Sequence, residues 1–372
     1  MDSSLQSRFR GALMGAAIGQ LVGDSAQSHL SSRWMAQGLP RRLSPFDSIP
    51  STVNDSDIND SEWSRVAVDL IHVLIGGTWG QANVDRMPDT ARSPAPDSSS
   101  SQSDAEFPIS LEQVPSPIRA DGLAIATLPL ALFFQDDDTV FQARFEQVMA
   151  AWQVSSWVQA ATRLWLDTLI LALREQSPAD HLIYLLQDRH SNTKNSLTLN
   201  EGLLVIKDLM KQHIGATRAL TILREWAESR CLSSNSPTSE AVPPAIYIMP
   251  IMGSLYEFFT AADEPQLALY RLSHALRQAN EQSHRPMMAM LMGSLMGAYH
   301  GDVKLPLEWQ WAIAQWGVEP SSTKIKWGGK KWLDIIELAD QLFAAWIGVE
   351  QPKIIQTLNL PIAIAHPRII SP

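Results

Sequence analysis

The chain has 372 residues, 45% of them apolar and 18% charged, with a formal net charge of −10. That length and composition support a buried core of one large domain or two ordinary ones, and the acidic balance leaves no surplus of cations to neutralise phosphates, which excludes a nucleic-acid binder. One cysteine, Cys231, stands in "ESRCLSS"; it cannot close an internal disulfide, so a reducing, cytoplasmic setting is expected, and no partnered histidine signature marks it as a catalytic thiol.

The first element is "RFRGALMGAAIGQLVG". Two arginines before a short apolar run imitate a leader sequence. Gln20 interrupts the run, however, and Gly11, Gly15, Gly19 and Gly23 recur every fourth residue. That spacing draws one glycine face along a helix, against which a second helix can lie closely. The run is too short to span a bilayer, as is Met287 to Tyr299, and no membrane association is expected.

Next comes "NDSDINDSEW", where Asp55, Asp57, Asp60 and Glu62 alternate in the manner of a calcium loop. Asp60 and Val66 stand where such a loop needs Gly at the sixth position and Glu at the twelfth. A solvated loop with Asp60 or Ser61 capping the helix "EWSRVAVDLIHVLI" is the simpler reading. Residues 85–117 include "RMPDTARSPAPDSSSSQSD", a Ser/Pro/Asp-rich stretch that cannot bury enough apolar surface to order itself. After "ADGLAIATLPLALFF", the run "QDDDT" places Asp138 or Thr139 as the cap of another helix.

Helical periodicity then dominates. "SSWVQAATRLWLDTLILALRE" sets Val158, Ala161, Trp165, Thr168 and Ala172 on one face, and Trp152, Trp157 and Trp165 are expected in the core. Polar loops are expected at "RHSNTKNSLTLN" and "SSNSPTSEAVPP". In "PPAIYIMPIMGSLYEFF" a proline in mid-run fits a central strand badly, so a helix restarting near Pro250 is expected. "DEPQLALYRLSHALRQAN" opens with Asp263 and Pro265 at favoured helix-start positions. "NEQSHRPMMAMLMGSLMGAYHG" joins a polar start, His284, Arg285 and Pro286, to a second glycine helix with Gly293, Gly297 and Gly301 four apart. His284 is open to two readings, a polar helix start or an acid–base group or transition-metal ligand; His300, at the helix end, suits the dipole there. "LEWQWAIAQW" offers a face to a partner, and "WLDIIELADQLFAAWIG" aligns Ile335, Leu338, Ala339, Leu342 and Trp346. The prolines of residues 350–372 predict an extended C-terminal tail. The expected architecture is all-α: one domain over 1–349 carrying a disordered insertion at about 85–117.

Three segments in order, "RFRGALMGAAIGQLVGDS", "ADGLAIATLPLALFF" and "GSLMGAYHG", resemble the opening, middle and late motifs of the ADP-ribosylglycohydrolases. The resemblance covers most of residues 8–301. It implies a compact all-α domain of orthogonally packed helices, and, in active members, two Mg²⁺ ions that cut the glycosidic bond between ADP-ribose and a side chain or small leaving group. Magnesium demands several oxygen ligands, chiefly carboxylates, and in the family these come from a T-D-D-T motif and a late D-x-D-T motif. Laid onto this chain, the early motif falls on Ile58, Asn59, Asp60 and Ser61, keeping one Asp; the late one falls on His284, Arg285, Pro286 and Met287, keeping none. Gln20 replaces the acid of the first helix, with Asp24 a turn beyond, and Asp121 replaces the Asn of the family's G-N-G before Gly122.

The resemblance therefore implies a degenerate member: no metal, no cofactor, and the remnant positions Asn59, Asp60, Ser61, Asp121, Gly122 and His284 lining a pocket for an ADP-ribose-like nucleotide, or a surface for a protein partner. Two alternatives stay open. One is an active hydrolase in which Asp60 and Asp121 act as the acid–base pair on a glycosidic bond. The other is an unrelated helical scaffold, in which residues 8–24 and 287–301 need not pack together.

Overall fold

The computed structural model describes residues 4–27, 58–76, 119–174, 178–190, 196–233, 248–265, 285–307 and 327–348, with 268, 271–272, 274–275, 309–310 and 314. The Ser/Pro-rich insertion, the C-terminal tail, His284 and most of "LEWQWAIAQW" lie outside these residues. Among the described residues the elements are helices and turns, with no strand: α1 (Leu5–Gln27), α2 (Ile58–Ile75), α3 (Ala120–Ala126), α4 (Leu128–Phe133), α5 (Asp138–Ala151), α6 (Ser156–Arg174), α7 (Ala179–His190), α8 (Ser196–Lys211), α9 (Ala216–Ser233), α10 (Met249–Ala261), α11 (Arg285–His300) and α12 (Trp332–Trp346).

The two glycine helices are the axis of the molecule. α1 and α11 run antiparallel in the most extensive helix pairing of the fold. Gly11 faces Gly297, Gly15 faces Gly293 and Gly19 faces Ala289, so close that a methyl on any of these glycines would overlap the partner's backbone carbonyl. Every residue from Arg285's neighbour Pro286 to Ala298 is buried. Dispersion between closely fitted backbones does here what large side chains do in an ordinary helix pair. This proximity removes the unrelated-scaffold alternative in the form that required the two helices to lie apart.

Around that axis, α12 closes over α1 through an edge-to-face pair of Phe9 and Phe343 with centroids 5.3 Å apart, and through a fork of Arg10 onto Asp340 at 2.6 and 2.7 Å. α10 lies on the other side of α11, where Gly253 admits the Met288 thioether. α6 is buried along the face that the periodicity picked out, with Val158, Ala161, Trp165, Thr168 and Ala172 all inside. α10 starts at Met249 with Pro250 in its first turn, where a proline's missing N–H costs nothing.

Three expectations shift. α5 is capped by Asp137, not Asp138 or Thr139: the Asp137 backbone is extended, and its carboxylate accepts from the Thr139 and Val140 amides at 2.9 and 3.0 Å. Asp138 is already helical and turns instead to Arg189 and Arg174, at 2.8 and 3.3 Å. After α10, Glu264 rather than Asp263 supplies the first helical carbonyl, accepting from Ala268 at 2.9 Å. The loop expected over "RHSNTKNSLTLN" gives way to helix at Ser196. His300, in the last turn of α11, is buried with Nε2 against the Ala262 carbonyl; burial pushes its basicity down, and the Ala262 carbonyl opposes that shift.

Candidate functional site

The middle motif segment begins with α3, which packs against both α2 and α11, so it sits between the early and late motif positions. Its first turn is Ala120, Asp121 and Gly122, all buried. Gly122 lies under the indole of Trp63 on α2: a methyl at Gly122 would fall within 2.5 Å of the indole nitrogen. The start of α2, with Asn59, Asp60 and Ser61 one turn before Trp63, is thereby set beside the start of α3. The side chains of Asn59, Asp60 and Ser61 lie outside the described residues.

Asp121 is fully buried, and its carboxylate is occupied. Arg119, in extended backbone at the head of α3 (φ −119°, ψ 145°), folds its guanidinium back over the first turn. Its Nε donates to Asp121 Oδ1 at 3.0 Å and one Nη closes the fork on Oδ2. The Gly122 amide donates to the same Oδ1 at 2.9 Å. A fork of two charge-assisted bonds plus a backbone donor satisfies most of what a carboxylate can accept. α6 fixes the turn from below, its Thr162 hydroxyl donating to the Ala120 carbonyl at 3.2 Å.

At the late motif, Pro286 and Met287 are buried and offer no oxygen. Gln20, at the position of the first-helix acid, is also buried, and its side-chain carbonyl oxygen has no hydrogen-bond partner. Along the 16 residues of α11 no acidic side chain occurs. Among the described residues, no three His, Cys, Asp or Glu side chains gather as a metal site.

The model of the ADP-ribosylglycohydrolase family matches residues 1–352. The chain belongs to the ADP-ribosylglycohydrolase family. A comparison with curated proteins gives no match. Family membership sets a chemical requirement against which the site can be tested, because a magnesium pair needs a cluster of free carboxylates. The described donors of this chain, which do not include the side chains of Asp24 and Asp60, do not meet it. Among the described residues, the buried carboxylate of the motif region, Asp121, is paired with a guanidinium, and the first turn of α11 is apolar after Arg285.

Two ionic features lie outside the motif segments. Asp167 on α6 is buried among Arg163 at 2.9 Å, His190 at 3.0 Å and Arg189 at 3.5 Å. Burial alone would raise its pKa, but His190, Arg163 and Arg189 together hold it below the ordinary carboxylate range. Glu257 on α10 is fully buried, and among the described residues neither of its carboxyl oxygens has a hydrogen-bond partner. The Arg119–Asp121 fork escaped the motif comparison because a spacing of two residues carries no helical signal. The one available hint was a basic residue just ahead of the Asp.

Proposed function

We propose that this ADP-ribosylglycohydrolase-family chain does not carry out two-metal hydrolysis and keeps the fold as a binding module, with an ADP-ribose-like nucleotide as its ligand. The observation that carries this reading is the Arg119 fork on Asp121. A carboxylate already neutralised by a guanidinium attracts a divalent cation weakly, since the pair's net charge is near zero and the cation would have to displace a bidentate partner. The sequence at His284, Arg285, Pro286 and Met287 supports the same conclusion, because the late motif's acids are replaced by basic and apolar groups.

The alternative, in which Asp60 and Asp121 form an acid–base pair, is disfavoured by the same fork: Asp121 is buried, and Arg119 and the Gly122 amide hold both of its oxygens. The remnant pocket would then comprise Asn59, Asp60, Ser61 and Gly122, with His284 from the late motif. Purified protein incubated with ADP-ribosylated arginine or serine and Mg²⁺ or Mn²⁺ tests the reading. Release of ADP-ribose no faster than in a metal-free control is expected, and faster release overturns it. Calorimetric titration with ADP-ribose and with Mg²⁺ separately divides ligand binding from scaffolding. Heat from the nucleotide without heat from the metal is expected, whereas silence from both would leave a protein partner as the role of the surface. The single cysteine supports a cytoplasmic setting, and among the described residues no helix is long and apolar enough to cross a membrane.

A further inference from the structure

α10 is the central helix of the layer opposite α1, packed against α3, α6, α7, α8, α9 and α11. Twelve of its thirteen residues are buried, and one of them is an acid, Glu257. Every hydroxyl near it on the same helix is spoken for. The Tyr256 hydroxyl donates to the Ile214 carbonyl, Ser254 to the Ile251 carbonyl at 2.8 Å, and Thr260 to the backbone carbonyls of Tyr256 and Glu257, at 2.9 and 3.3 Å. The Glu257 carboxyl itself has zero exposure and, among the described residues, no donor on either oxygen.

An ionised carboxylate cannot remain so placed without a partner, because desolvating an unpaired charge costs far more than protonating it. Among the described residues the ionisable groups that act on Glu257 are Arg271, from the helical segment after α10, and its neighbour Tyr256. None from α3, α6, α7, α8, α9 or α11 does so; Asp167 and His190 are engaged with each other, and His300 faces Ala262.

We propose that Glu257 is a protonation-controlled latch: a neutral carboxylic acid sealed within the α10 layer, whose ionisation loosens the packing of α10. Arg271 is half-buried and, among the described residues, is the cation that acts on the carboxyl. Once charged, Glu257 gains by turning toward that guanidinium or toward water, and either movement disturbs the buried packing of α10. This inference stands whether or not the binding-module reading does.

Burial pushes the Glu257 carboxyl up to about 7, with Arg271 opposing. The native state thus holds a proton that the unfolded chain releases above about 4.5, and stability falls as pH rises through that interval. Denaturant unfolding of the full chain and of Glu257→Gln, across pH 4 to 8.5, provides the test. The ratio of the wild-type unfolding constant to that of the variant should rise by up to about 300-fold, the factor set by the gap between the two pKa values. A ratio constant with pH overturns the proposal. Amide exchange at residues 257–262, corrected for its intrinsic pH dependence, should accelerate above pH 7 in the wild type and not in Glu257→Gln; equal behaviour again overturns it. Should the variant fail to fold, the wild type with ¹³C-labelled glutamate carboxyls decides the matter. One carboxyl titrating near neutrality is expected, and titration of every glutamate below pH 5 refutes the latch.

Discussion

Gly15→Ala is the sharpest probe of the axis. In an exposed helix the change would stabilise, since alanine is preferred over glycine by about 1 kcal/mol. Here the new methyl would stand 2.6 Å from the Gly293 carbonyl carbon and closer still to its oxygen, against an ordinary contact of 3.4 Å or more. The obstacle is backbone on both sides, so no side chain can rotate away. α1 and α11 must part by about 1.4 Å at that level to bring the Gly293 oxygen, at 2.0 Å, to that distance, which also opens the Gly11–Gly297 and Gly19–Ala289 contacts. Overpacking of this kind costs roughly 3 kcal/mol, and loosened contacts along the rest of the seam add to it. The net expectation is a loss of about 2 kcal/mol after the propensity gain, or roughly 4 °C in the unfolding midpoint of a chain this size. Gly215→Ala is the control: nothing lies within 4 Å of its methyl, and a shift of only a few tenths of a kcal/mol is expected at that helix start. Thermal and urea unfolding of both variants decide the matter. A Gly15→Ala protein that melts at or above the wild-type temperature would show that the two helices are not in backbone contact.

Gly122→Ala should destabilise by about 1–3 kcal/mol, because its methyl meets the buried Trp63 indole; a loss of Trp63 fluorescence shielding would report the displacement. Arg119→Met leaves the Asp121 carboxylate buried without its cation and should cost roughly 3–5 kcal/mol, whereas Arg119→Met combined with Asp121→Asn should recover much of the loss in a double-mutant cycle. Asp167→Asn should lower stability at neutral pH and flatten the acid limb of the stability curve. The native Asp167 carboxyl lies below its ordinary value, so its contribution is present above about pH 4 and disappears as pH falls further. An acid limb unchanged by the substitution would refute that assignment. Millimolar Mg²⁺ should leave the unfolding midpoint of the wild type unchanged, since only a ligand that binds the native state shifts it.

What the sequence determined by itself was periodic or positional. The four-residue glycine spacing of Gly11, Gly15 and Gly19 and of Gly293 and Gly297 foretold two helices able to approach closely, and the 3.6-residue faces of α6 and α12 named buried residues of each, except that Trp346 is only half-buried. The motif order also disclosed the family, because glycine and proline positions constrain the backbone and leave a one-dimensional trace. Caps were less legible. Among three consecutive aspartates, the one with extended backbone becomes the cap, and that choice depends on where α4 delivers the chain. The tertiary structure alone decided how charges are matched. It is three-dimensional proximity that brings Arg119 onto Asp121, gathers Arg163, Arg189 and His190 around Asp167, and seals Glu257 away from any donor. Electrostatic energy depends on distance and on exclusion of water, and a linear sequence specifies neither.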